Sequence, residues 1–306
     1  MSRTETAAAT SSPAVAGVVM VSDRPNPIQR VRNVWRYREL LRNLVRRELK
    51  VRYKSSVLGF VWTLVNPLMY LVVFSFVFKV VLKSQVPDFG IFFLSGLLAW
   101  NFFSGALAAA TGSVVDNSPL VTKVWFPREV LPIAAVGSNL VNFFFQAVVL
   151  ITGMAVLRHS PGWQYLPAIL LACVVLLILT TAIGLVLSAV YVYLRDTKYL
   201  VEIALLAWFW FSAVVYPFVQ FADAMHRVSW LPEWAPMVNP MVDIVTTFQR
   251  FFYNPPDTLT PPILDPDAHL GWYMRNLTIV GVVSVGLLLL ALHIFGRLED
   301  NLGEEI

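Results

Sequence analysis

Six stretches of the chain run for 20 residues or more without a charged side chain. They lie between Lys54 and Lys79, Asp88 and Asp116, Glu129 and Arg158, Arg158 and Arg195, Glu202 and Asp223, and Arg275 and Arg297. A helix needs about 20 predominantly apolar residues to cross the hydrocarbon of a bilayer, so each stretch is long enough. Lipid gives the backbone no hydrogen-bond partner, and long unbroken apolar runs satisfy it as helices. The pattern predicts an all-α polytopic membrane protein with six transmembrane helices.

Two regions depart from this rhythm. Residues 34–53 alternate with a helical period: Val34, Tyr37, Leu40, Leu41, Leu44, Val45 and Leu49 fall on one half, and Arg36, Glu39, Arg42, Arg46, Arg47 and Lys50 on the other. Only Arg38, Glu48 and Arg52 break the pattern. A basic amphipathic helix placed just before a span is expected in the headgroup plane, with its charges on anionic lipid. It is either a simple anchor or a receiver of substrate. The second region, 220–275, separates the last two runs. Its apolar pieces 237–245 and 248–253 are too short to cross and are broken by Asn239-Pro240, Asp243 and Arg250. They predict re-entrant helices, which require protein around their ends.

The chain thus divides into a disordered cytoplasmic tail (1–29), an interface helix (30–54), a six-span membrane domain (55–296) and a short cytoplasmic tail (297–306). The membrane domain contains an inner connection at 116–132 and the outer segment 220–275. The apolar piece 14–21 is too short, and its flank too weakly basic, for a cleaved signal peptide. Composition agrees: 57% of residues are hydrophobic and 14% charged, too few polar groups to cover a soluble domain of 306 residues. Arg and Lys collect on the cytoplasmic side of a membrane. With the N-terminus inside, inner segments hold 17 of the 23 basic residues; the opposite orientation reverses the ratio. Both termini are therefore expected in the cytoplasm.

Little catalytic chemistry is available. No glycine precedes a lysine, so the chain has no G-x-x-x-x-G-K loop for a nucleotide. Gly281, Ser284 and Gly286 are spaced one residue too wide for a nucleophile elbow. His159, His226, His269 and His293 are scattered singly, so no metal site is expected. Cys173, the single cysteine, reads as a packed thiol. The run interiors lack the ionisable residues that ion-driven carriers place in the membrane. A passive conduit powered by another component remains.

Two segments carry a family resemblance. Arg47-Glu48-Leu49-Lys50-Val51-Arg52-Tyr53-Lys54-Ser55-Ser56-Val57-Leu58-Gly59, with Trp62 and Pro67 after it, resembles the leading segment of ABC-2-type permeases that export polysaccharides, O-antigen and teichoic acids. Pro119-Leu120-Val121-Thr122-Lys123-Val124-Trp125-Phe126-Pro127-Arg128-Glu129-Val130-Leu131-Pro132 is a second match, and Arg195-Asp196 and Asn239-Pro240 resemble further family positions. The resemblance covers residues 35–295. It implies a homodimer of six-helix subunits bound to two copies of a separate ATPase, which holds ATP and Mg; no cofactor is expected on this chain. It also implies a glycan carried on a polyprenyl diphosphate, moved outward across the bacterial cytoplasmic membrane. Membrane lipids are expected partners, nucleic acid is not. By the same analogy Arg47, Lys50, Arg52, Tyr53 and Lys54 would meet the diphosphate.

The connection 118–132 is expected to seat in the ATPase, because Val124, Trp125 and Phe126 would otherwise face water. Its contact residues would be Lys123, Trp125, Phe126, Pro127, Arg128 and Glu129. Aromatic rings at Tyr70, Phe74, Trp100, Phe103, Trp208 and Phe211 would offer sliding faces to sugar rings, or would simply pack. Arg outnumbers Lys 17 to 6, a high-GC signature compatible with galactan, although O-antigen or teichoic acid would use the same features. A polytopic enzyme acting on a lipid-linked sugar, and a lipid or drug exporter of the same fold, are the alternatives.

Overall fold

The computed structural model describes residues 27–53, 61–81, 86–124, 126–227, 232, 235–255, 262–265 and 268–298. Among these, secondary structure is helical throughout. α1 (Pro27–Arg36) and α2 (Arg38–Tyr53) form the N-terminal region. α1 takes in Pro27, Ile28 and Gln29, the last three residues of the expected tail; the rest of that tail lies outside the described residues. The N–H of Tyr37 is shared between the carbonyls of Asn33 and Val34, which tightens one turn and kinks the expected single helix into two. α3 (Val61–Phe76) carries Pro67 in its interior and widens at Val77–Val81 into a π-type turn. The rest of the first apolar run, 55–60, lies outside the described residues.

Among the described residues four helices are long and apolar enough to cross a membrane: α4 (Phe89–Asp116), α6 (Val130–Val156), α7 (Leu166–Tyr193, entered through a short turn from Trp163) and α11 (Leu270–Leu298). Between α4 and α6 stands the four-residue α5 (Ser118–Val121). α4 is the central post, packed against α6 and α7, while α11 runs along the far side of α7. Small residues let α4 and α7 approach closely: a Cβ added to Gly184 would come 2.9 Å from that of Ala110. Buried hydroxyls of Thr111, Thr180 and Ser284 return to the carbonyl four residues back, so they enter the apolar interior already satisfied. The outward faces of α6 and α11 expose Phe144, Val148, Ile279 and Val283, as lipid-facing helices do.

The fifth run departs from expectation. α8 (Thr197–Trp210) starts just after Arg195-Asp196 and ends after 14 residues, roughly 21 Å at 1.5 Å each. A turn follows, with Ala213 at φ 50°, before α9 (Phe218–His226). The chain can stop there because Asn239 supplies a partner for a freed carbonyl: its Nδ2 donates to Phe211 O at 2.7 Å.

In the outer segment the two expected short pieces join. α10 (Pro240–Phe248) runs on through a π-type turn at Gln249–Tyr253, and Asn254 reverses the chain at φ 38°. Met241, Val242, Ile244, Val245 and Phe248 are fully buried against α4 and α7. This helix is enclosed by protein along its length.

Candidate functional site

The end of the molecule that carries α1 and α2 is built on a second apolar cluster, separate from the main core. Leu44 of α2 packs there with Val121, Phe126, Val130 and Leu131, and with Leu185 and Phe295 from the ends of α7 and α11. Val34, Tyr37, Leu40, Leu41 and Val45 close over it. The apolar face of the N-terminal region is thus used on protein. Its basic side is free for another surface: Arg42, Arg46, Arg47 and Lys50 are exposed. The guanidinium of Arg47 donates to the side-chain carbonyl of Asn117, at the foot of α4. Arg52 and Tyr53 end α2, their side chains outside the described residues, as is Lys54.

The connection between α4 and α6 divides into an apex and a pedestal. Thr122, Lys123 and Val124 are exposed, Val124 at 52%. Pro127 and Arg128 are half-buried. Phe126 and Glu129 are buried, at 5% and 2%, so neither faces water as the sequence suggested. Phe126 is drawn into the apolar cluster, and the Glu129 carboxylate pairs with Arg30 of α1. Trp125 lies outside the described residues.

The aromatic candidates separate in the same way. Trp100 and Phe103 are buried within this one chain: Phe103 meets Trp208 edge-on at 5.0 Å and Trp100 meets Phe209 at 5.5 Å. Rings with no open face cannot line a path, and these two pack. Phe74 stacks on Phe93 at 4.3 Å and is half-buried. Tyr70 and Phe211 are exposed and Trp208 is partly so. Phe211 and Trp208 share an open apolar groove of about 550 Å³ with Phe221, Met225 and Val238.

Asn239 lines that groove and is a polar hub for the elements around it. It accepts from the Trp208 indole at 2.8 Å and from the N–H of Met241 at 3.0 Å, capping α10. Asn before Pro at a helix start is a legible capping signal; the tie to α8 is not legible from sequence. Nearby, His159 meets the backbone carbonyl of Tyr253, and its other ring nitrogen lies 3.6 Å from Asp88. The Tyr253 hydroxyl donates to Pro87 O at 2.7 Å. Burial, then the negative charge of Asp88, pushes that phenol's pKa upward, so it stays a neutral donor. Among the described residues no group of three His, Cys, Asp or Glu side chains could hold a metal ion.

These features meet a consistent set of similarities. Residues 39–249 match the family model described as ABC-2 type transporter. An O-antigen export system permease protein from Myxococcus xanthus is 36% identical over 91% of this chain and all of its own length. A Klebsiella pneumoniae protein with the same description is 27% identical over 71% of this chain and 81% of its own. A polysialic acid transport protein from Escherichia coli is 23% identical over 65% and 75%. With a family match spanning most of its length and a full-length relative at this identity, the chain is a multi-pass membrane protein belonging to the ABC-2 type transporter family.

Proposed function

We propose that this chain is the membrane subunit of an ABC exporter that carries a polyprenyl-diphosphate-linked cell-surface polysaccharide outward across the bacterial cytoplasmic membrane. The polymer is a galactan, an O-antigen or a similar glycan. In this reading α3 and α8 complete six crossings with the four long helices, both termini are cytoplasmic, and α10 is re-entrant. Two copies of the chain form the conduit, and two copies of a separate ATPase bind ATP and Mg and drive it. The chain is not itself an enzyme.

One observation carries the reading: a small exposed apex, Thr122 to Val124, stands on a rigid buried pedestal beside an exposed row of arginines. An apolar residue held outward by an apolar foundation suits a partner surface, and the neighbouring cations suit a diphosphate head. The names of the relatives, given above, supply the cargo class. Of the aromatic candidates, Tyr70, Trp208 and Phe211 keep faces for a sugar path, and Trp100 and Phe103 do not.

The test is a paired variant, Lys123→Glu with Val124→Asp. Both side chains are exposed, so the permease should reach its normal level and melt normally, while the ATPase no longer copurifies and surface polymer disappears. Full retention of the ATPase would overturn the docking role. Loss of a lipid or drug efflux activity with surface polymer intact would move the cargo to that class.

A further inference from the structure

Arg30 and Glu129 form an ion pair between two side chains that are both nearly closed to solvent, at 7% and 2%. Arg30 comes from the first helix of the chain and Glu129 from the position immediately before α6. A third element completes the site. A Cβ placed on Gly296 would lie 2.5 Å from Nη2 of Arg30 and 2.6 Å from Cζ, so the guanidinium lies against the bare backbone of the last turn of α11. Any other residue at 296 would push the guanidinium off that surface.

The pair stands at one end of the connection 117–129. At the other end Arg47 of α2 holds Asn117. The two N-terminal helices therefore grip the connection at both ends, with Leu44 packed on Phe126 and Val121 between the grips. The exposed apex at Thr122 to Val124 lies within the gripped span.

We infer that Arg30 and Glu129, seated on Gly296, are positioning residues that make the connection, the N-terminal helices and the end of the last span move as one body. A push on the apex then reaches the basic face of α2 and the foot of α11 together. A buried charge that loses its partner is strongly disfavoured, so the pair favours one docked arrangement over loose ones. This inference rests on the reading that the apex meets the ATPase.

The test uses the full-length chain in two arms. In the first, without ATPase, spin labels are attached at Lys50→Cys and Val124→Cys in a Cys173→Ser background. Their separation should be narrow in the parent, and broadened by Arg30→Gln, by Glu129→Gln and by Gly296→Ala. In the second, with the copurified ATPase, the same three variants should retain the ATPase, but polymer exported per ATP hydrolysed should fall about five-fold or more, in the usual range for coupling between sites. Gly296→Ala keeps both charges, so it decides the matter if a single charge removal prevents folding. An unchanged distance distribution overturns the latch, whatever the ATPase does. So does a loss of abundance with export per ATP unchanged, which marks a purely structural pair. Loss of ATPase binding in the Lys123→Glu, Val124→Asp variant alone bears on the docking reading, so the two failures are separable.

Discussion

The two ends of the molecule are held together by different chemistry. At one end, α1, α2, the connection before α6 and the foot of α11 meet through an apolar cluster and two ties between side chains, Arg30 with Glu129 and Arg47 with Asn117. At the opposite end three ties run from side chain to backbone, His159 to Tyr253, Tyr253 to Pro87, and Asn239 to Phe211, beside the side-chain pair of Trp208 with Asn239. Left-handed residues mark the reversals there, at Asp88, Arg158, Ala213 and Asn254. A bond to a backbone carbonyl fixes the course of the chain. A bond between two side chains fixes only how finished helices sit against one another. The second end is thus set mainly as the chain folds, and the end at α1 and α2 is assembled from helices already formed.

The largest expected effect comes from the main apolar core, to which Phe103 belongs and which the cluster under α2 does not include. Phe103→Ala should lower stability by about 3–5 kcal/mol, the usual range for truncating a large buried ring. Thermal unfolding in detergent measures it, and export per folded molecule should stay unchanged. A fall in export far beyond the fall in abundance would return Phe103 to the sugar path. Next in size is Asn239→Ala, which removes the cap of α10 and the tie to α8 together. About 1–2 kcal/mol follows from the cap alone. The local sign should be faster tryptic cleavage at the exposed Arg227; an unchanged digestion rate would mean that the turn after α8 stands without its hub.

Tyr253→Phe deletes only the hydroxyl bond to Pro87, and should cost about 1 kcal/mol. Because that group is held neutral, the cost should not vary with pH between 6 and 9, and a pH-dependent difference would break the assignment. The smallest effect belongs to the end at α1 and α2. Arg47→Gln, an exposed change, should alter stability by no more than about 0.5 kcal/mol. Combined with Lys50→Gln and Arg52→Gln, it should nonetheless reduce recruitment of the proposed lipid-linked substrate, read as accumulation of that lipid on the side where it is made. Normal export would confine the basic face to the structural tie with Asn117.

Four of the long helices could be read directly from the sequence, because lipid and a protein core both demand apolar residues and the charge-free runs marked them. The fifth run misled for a definite reason. Counting uncharged residues is blind to a turn whose carbonyl is satisfied by Asn239, 28 positions away. The helical period of α2 was legible, but what lay beneath it was not: an apolar stripe fits a membrane and an apolar cluster equally well. Phe126 and Glu129 were placed at a partner surface because connections usually lie outside. Phe126 is buried in the apolar cluster and Glu129 against Arg30, and no spacing rule pairs two residues a third of the chain apart. Lys123 was read correctly as exposed, since a lone lysine in a short connection has nowhere else to go.

The seat of Arg30 against Gly296 also fixes the order in which the protein is finished. Arg30 is synthesised long before the residue on which its guanidinium rests. Synthesis of the intervening chain takes on the order of 15–50 s at ~5–20 residues per second. Throughout that interval α1 lacks its seat on α11, although α2 can already pack on α6. A ribosome that stops short of Gly296 leaves α1 unseated, and the cell's proteases and chaperones then have an open handle on the chain.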